Sequence, residues 1–141
     1  MKLHVITVAF LFTTAAALAQ TTPGGQFMQS WDLDGNGTAT LEELREMRGN
    51  VFLSFDTNED GYLDAEEYVF FDQARANDVS NYEAEQRAQM QQVADGMRLP
   101  ESDLDRDGRV SRAEFLESAA AWFDDLDRDD DGGITLEDFA R

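Results

Sequence analysis

Four twelve-residue stretches of this chain repeat one arrangement of oxygen-bearing side chains, and that repetition limits what the chain can fold into. They are Asp32–Glu43 (DLDGNGTATLEE), Asp56–Glu67 (DTNEDGYLDAEE), Asp103–Glu114 (DLDRDGRVSRAE) and Asp127–Asp138 (DRDDDGGITLED). In each, positions 1, 3 and 5 are Asp or Asn, and position 6 is glycine. Position 8 is apolar, position 9 carries an oxygen and position 12 is acidic. A hard dication such as Ca²⁺ takes about six to eight oxygens at about 2.3–2.6 Å, and this spacing supplies them from one tight turn. One such stretch could be an acidic surface turn; four in frame point to metal.

The candidate ligands follow from the frame. The first loop offers Asp32, Asp34, Asn36, Thr38, Thr40 and Glu43, and the second Asp56, Asn58, Asp60, Tyr62, Asp64 and Glu67. The third offers Asp103, Asp105, Asp107, Arg109, Ser111 and Glu114, and the fourth Asp127, Asp129, Asp131, Gly133, Thr135 and Asp138. Thr38, Tyr62, Arg109 and Gly133 occupy position 7, where the backbone carbonyl is the donor. Position by position, the pattern resembles the EF-hand calcium loop. The resemblance implies an all-α EF-hand fold, with four helix-loop-helix calcium loops in a compact helical domain. Ligand charge tunes affinity, so the second and third loops, with four carboxylates each, should bind best and the first less well. The fourth should be weakest, because Asp138 is a methylene shorter than Glu and would reach an ion with one oxygen. Mg²⁺ or weak Ca²⁺ is expected there.

The flanks repeat too. Met28, Phe52, Leu99 and Phe123 stand four residues before the loops, and Leu44, Tyr68, Phe115 and Phe139 directly after them. Helices at those places would turn these residues into one shared core. A short helix is expected from Thr22 and Pro23, then helices over 41–55, 65–76, about 81–98 and 112–126. Gly49-Asn50 could break the first of these long helices. Ser80 with Glu83 suggests a capping box, Pro100 interrupts the approach to the third loop, and Arg141 follows the fourth almost at once.

Only twelve residues separate the first loop from the second, and twelve the third from the fourth. If 41–55 is one helix it spans about 22 Å and holds consecutive loops at opposite ends. The second loop would then pair with the third through Leu63 and Val110, and the first with the fourth through Ala39 and Ile134. A sharp break at Gly49-Asn50 would restore consecutive pairing. The short spacing and the four loops also resemble lanmodulin, a periplasmic lanthanide-binding EF-hand protein, and bacterial periplasmic EF-hand proteins with short-spaced loops. This chain lacks the proline such lanthanide loops carry at position 2, having Leu33, Thr57, Leu104 and Arg128. Only Asp64 supplies their position-9 aspartate.

Residues 1–19 read as a secretory signal: Lys2 and His4, the apolar run Val5–Leu18, then Ala17-Leu18-Ala19 before a cut at Gln20. The apolar run is too short to span a bilayer. The domain is then 20–141, exported to the periplasm or secreted, with no membrane insertion after cleavage. Loss of Lys2 moves the formal charge from −19 to −20, which repels nucleic acid. Eight of the ten phenylalanines lie beyond residue 19 and still allow a core. Cysteine is absent and His4 is the one histidine, so the mature chain has neither thiol nor imidazole for catalysis. The expected role is calcium binding, as buffer, sensor or calcium-stabilised module, and not enzymatic. Alternatives are a dockerin-like interaction module with an unidentified protein partner, or a lanthanide binder.

Overall fold

Position 9 of every loop starts a helix. Thr40, Asp64, Ser111 and Thr135 are N-caps, and each forms a capping box with the position-12 carboxylate three residues on. The side chain at position 9 satisfies an orphan helix N–H, while the carboxylate returns to the cap's own N–H. The computed structural model describes residues 22–141. The expected signal at 1–19, and residues 20–21 of the lead-in, lie outside the described residues.

In chain order the helices are α1 (Gly25–Trp31), α2 (Leu41–Phe55), α3 (Ala65–Ser80), α4 (Ala84–Asp95), α5 (Leu99–Ser102), α6 (Arg112–Glu117), α7 (Ala119–Leu126) and α8 (Leu136–Phe139). Two short strands, β1 (Tyr62–Leu63) and β2 (Val110–Ser111), pair antiparallel with Leu63 opposite Val110 and Tyr62 opposite Ser111. Ala39 and Ile134 form a separate antiparallel bridge, exchanging N–H···O bonds of 2.8 and 3.0 Å. The pairing is therefore crossed: second loop with third, first with fourth. Its cause is α2, which runs unbroken from Leu41 to Phe55. Gly49 does not break that helix. It is buried, and a Cβ there would stand 3.4 Å from Arg112 Nη2 and 3.8 Å from Leu116 Cδ2, so α6 passes close by.

Ala39, Leu63, Val110 and Ile134, the four position-8 residues, are fully buried and tie the loops to one core. Met28, Leu44, Phe52, Tyr68, Phe115, Phe123 and Phe139 are buried in the same cluster, and Leu99 packs against it. Gathering both flanks of all four loops joins the loop pairs into one hydrophobic unit. No helix among the described residues is long and apolar enough to cross a membrane.

The helix boundaries depart from expectation in five places. Helix α1 begins at Gly25, not at Thr22 or Pro23. Its N-cap, Gly24, has φ +76°, and a Cβ there would fall 2.2 Å from Phe139 Cδ2. Helix α3 continues past 76 to Ser80, anchored by buried Val79 and followed by buried Tyr82. The expected Ser80–Glu83 box is not made: Ser80 Oγ donates back to the Asn77 carbonyl, and Glu83 caps α4 without a side-chain bond. Helix α4 ends at Asp95, where the Val93 carbonyl accepts from Trp122 Nε1 at 2.9 Å, and Gly96 lies so close under that ring that an added Cβ would fall 2.2 Å from Trp122 Cδ1. The segment 112–126 is two helices meeting at Ser118.

Candidate metal centres

Each loop closes on itself through backbone N–H groups aimed at the position-1 aspartate. Asp32 Oδ2 accepts from Gly37 N at 2.8 Å, Asp56 Oδ2 from Gly61 N at 3.0 Å, Asp103 Oδ2 from Gly108 N at 2.9 Å and Asp127 Oδ2 from Gly132 N at 2.9 Å. The position-5 N–H groups of Asn36, Asp60, Asp107 and Asp131 donate to the other oxygen of the same aspartates. At position 7, the N–H of Thr38, Tyr62, Arg109 and Gly133 donates to the position-5 side chain. These bonds require the glycine: φ is +92°, +80°, +90° and +91° at Gly37, Gly61, Gly108 and Gly132, a left-handed turn that a Cβ resists.

Position 12 completes the turn. Glu43 Oε1 accepts from Leu33 N and Asp34 N, and its Oε2 from Thr40 N at 2.8 Å. Glu67 reaches Thr57 N with one oxygen and Asp64 N with the other; Glu114 reaches Asp105 N and Ser111 N likewise. Asp138, though shorter, does the same with Arg128 N and Thr135 N, both at 2.8 Å.

Three carboxylates in each loop present oxygens within 4.8 Å of one another: Asp32, Asp34 and Glu43; Asp56, Asp60 and Glu67; Asp103, Asp105 and Glu114; Asp127, Asp129 and Asp131. Such converging oxygens fit a hard dication. Asn36, Asn58, Asp107, the position-7 residues and Thr40, Asp64, Ser111 and Thr135 complete each ring of candidates, with position 9 also capping the outgoing helix. In the fourth loop the converging set is the three aspartates of positions 1, 3 and 5, without position 12. Asp138 is buried and uses its reach on backbone closure.

The family model described as "EF hand" matches residues 49–71, 102–117 and 119–141, which contain the second, third and fourth loops. The chain is an EF-hand calcium-binding protein. The first loop, 32–43, lies outside the matched residues yet carries the same closure as the other three. No curated protein matches the chain.

The EF-hand loops are electrostatically divided. The Thr40 N–H, with the N–H groups of Asp34 and Leu33, holds the Glu43 carboxyl below its ordinary value against the effect of burial. Burial would raise Glu114, but N–H bonds from Ser111 and Asp105 outweigh it and lower it. Asp105 and Asp129 are pushed up, first by desolvation and then by neighbouring carboxylates: Asp107 and Glu114 for the one, Asp131 and Asp138 for the other. That crowding is what a bound cation relieves.

One residue that matters to these sites was not foreseen. Arg48, on α2, is fully buried. Its Nε donates to the Phe115 carbonyl at 2.7 Å, and its Nη2 donates to Ser118 Oγ at 2.8 Å and Ser102 Oγ at 3.2 Å. Its Cζ lies 4.3 Å from the Phe115 ring centroid and 5.3 Å from that of Trp122. No carboxylate pairs with it among the described residues, Nη1 has no partner, and burial lowers its pKa to about 10. Arg48 thus ties the helix between the first two loops to α5 and to the α6–α7 joint between the last two. It also explains that joint. The Phe115 carbonyl accepts from Arg48 and from Ser118 Oγ, and a side chain inserted into the helical ladder bends the helix there.

Proposed function

We propose that the mature chain works outside the cytoplasm as a calcium-stabilised module that also buffers Ca²⁺, the ions fastening one half of the domain to the other. The crossed pairing carries this reading. Each pair takes one loop from the N-terminal half and one from the C-terminal half, so filling either pair joins the halves rather than closing one of them. Opening in the manner of an EF-hand sensor would part α2 from α6 and α7, across which Arg48 is buried and bonded; stabilisation and buffering are therefore favoured over sensing. Export rests on the signal-like residues 1–19 and on the high negative charge, which suits a compartment where calcium is abundant.

Binding to the folded form stabilises it, and one hundred times Kd of free metal adds about 2.7 kcal/mol per independent site. Far-UV circular dichroism in EDTA should show a large loss of helix that excess Ca²⁺ restores; unchanged helicity would sink the reading. Titration of Trp31 and Trp122 fluorescence with Ca²⁺, Mg²⁺ and La³⁺ ranks the cations, and a La³⁺ preference beyond that expected from its charge would favour a lanthanide role. N-terminal sequencing of the native product tests export, with Gln20 expected first.

A further inference from the structure

A cleft containing none of the loop ligands lies between α1, α3 and α4, with α2 and α7 behind it. Its inner chamber, about 190 Å³, is walled by Trp31, Phe55, Phe71, Met90 and Trp122 among others. A polar notch of about 400 Å³ adjoins it, lined by Gln26, Gln29 and Asn81, and the two share Ser30, Asp78 and Tyr82. Asp78 therefore stands where apolar chamber meets polar notch.

Two cations stand beside this place, and both are bonded to backbone carbonyls: Arg87 holds those of Tyr82 and Ser80, and Arg75 that of Ala94. Asp78 is exposed at the rim and has no ion-pair partner among the described residues, and partial desolvation against the cleft raises its pKa. The nearest basic residue on the same helix, Arg75, is already committed: its guanidinium bonds Asp72 and the Ala94 carbonyl, and its Cζ lies 5.1 Å from the Phe71 ring centroid. Arg75 thus completes the wall, and the carboxylate of Asp78 is left without a cationic partner among the described residues. A carboxylate at the rim of an aromatic chamber favours a cation with an apolar body, through a charge-assisted hydrogen bond at the rim and ring contacts within. A cavity of this order holds about one ring, since roughly 150 Å³ accommodates benzene.

We propose that this cleft binds a small organic cation, a primary amine on a single-ring apolar body, with the ammonium at Asp78 and the ring in the inner chamber. The negative surface raises the local concentration of such a ligand. The site is separate from the metal loops, so the proposal stands or falls apart from the calcium reading.

The test uses calcium-saturated protein titrated with 2-phenylethylamine, read through Trp31 and Trp122, whose ring centroids lie 4.8 Å apart. Binding should saturate and be about tenfold tighter than for 2-phenylethanol, as one added charge-assisted hydrogen bond implies. The anion 3-phenylpropionate should bind more weakly than the alcohol. Asp78→Asn should bring the amine down to the alcohol's affinity, whereas Asp125→Asn, an exposed charge on α7, should not. Ala74→Phe, which fills the chamber from an exposed position, should abolish both amine and alcohol binding. Circular dichroism and calcium titration of each variant confirm that fold and loops are intact. No saturable binding, an alcohol as tight as the amine, or equal losses from Asp78→Asn and Asp125→Asn would each overturn the proposal.

Discussion

The inner pair of loops, Asp56–Glu67 with Asp103–Glu114, and the outer pair, Asp32–Glu43 with Asp127–Asp138, share one closure chemistry but differ in how they meet. The inner pair makes a two-residue ladder, and Arg109 at position 7 lies with its Cζ 3.7 Å from the centre of the Tyr62 ring on its partner. The outer pair makes a single bridge, and its position-7 residues, Thr38 and Gly133, offer no such stack. Both inner loops bring their position-12 glutamate into the converging set; in the outer pair only Glu43 does. The helices at the outer pair's far ends are short, seven residues in α1 and four in α8. Identical loop spacing thus yields unequal sites, because what lies between and behind the loops differs.

The largest expected effect should erase the contrast. Arg48→Ala removes three hydrogen bonds and leaves a void beneath Phe115, costing about 3 kcal/mol or more, and both pairs should weaken together. Thermal melts in saturating Ca²⁺ measure it, and Arg48→Met should recover much of the loss by filling the space without a buried charge. Next, Gly24→Ala should widen the contrast. It forces a Cβ into Phe139 from a left-handed backbone and costs about 2 kcal/mol, loosening α1 from α8 while touching no ligand. Calorimetric titration should then show the outer sites weakened and the inner sites unchanged. Arg109→Ala should narrow it least in calorimetric titration, since it loses an exposed cation–π contact and the 3.3 Å pair with Asp107 while the position-7 carbonyl is retained.

Acidification should not discriminate between the pairs, because each contains one carboxyl held low, Glu43 outside and Glu114 inside. A carboxyl whose folded pKa lies below its unfolded one contributes stability above the ordinary 4.5, lost as pH falls through the folded value. Melting temperature of the metal-free protein should therefore be flat above that point and fall below it.

Much of this was legible in the residues. The loop frames name the candidate ligands, and the twelve-residue spacing, converted to a helix length, implies the crossed pairing. The capping boxes were legible too, since Thr40-x-x-Glu43 and its three counterparts spell them, though position 9 was read only as a ligand. Arg48 was not legible: an arginine on a helix ordinarily faces water, and its burial depends on Phe115, Ser102 and Ser118, each more than fifty residues away. The bend at Ser118 follows from the same contact and was hidden for the same reason. At the end of α4 the Val93 carbonyl is taken by Trp122 Nε1, again from a distant part of the sequence.

The crossed pairing also orders assembly in time. Leu63 and Val110 are 47 residues apart, whereas Ala39 and Ile134 are 95 apart, so the contacts are nested like brackets. Closing a doubled length costs only about 0.6 kcal/mol more, but forming the inner contact first shortens the chain left to close outside it. A polypeptide emerging N-terminus first can complete the inner bracket before its last loop has appeared. The outer bracket has to wait for nearly the whole chain, so Ile134 acts as the final latch of the fold.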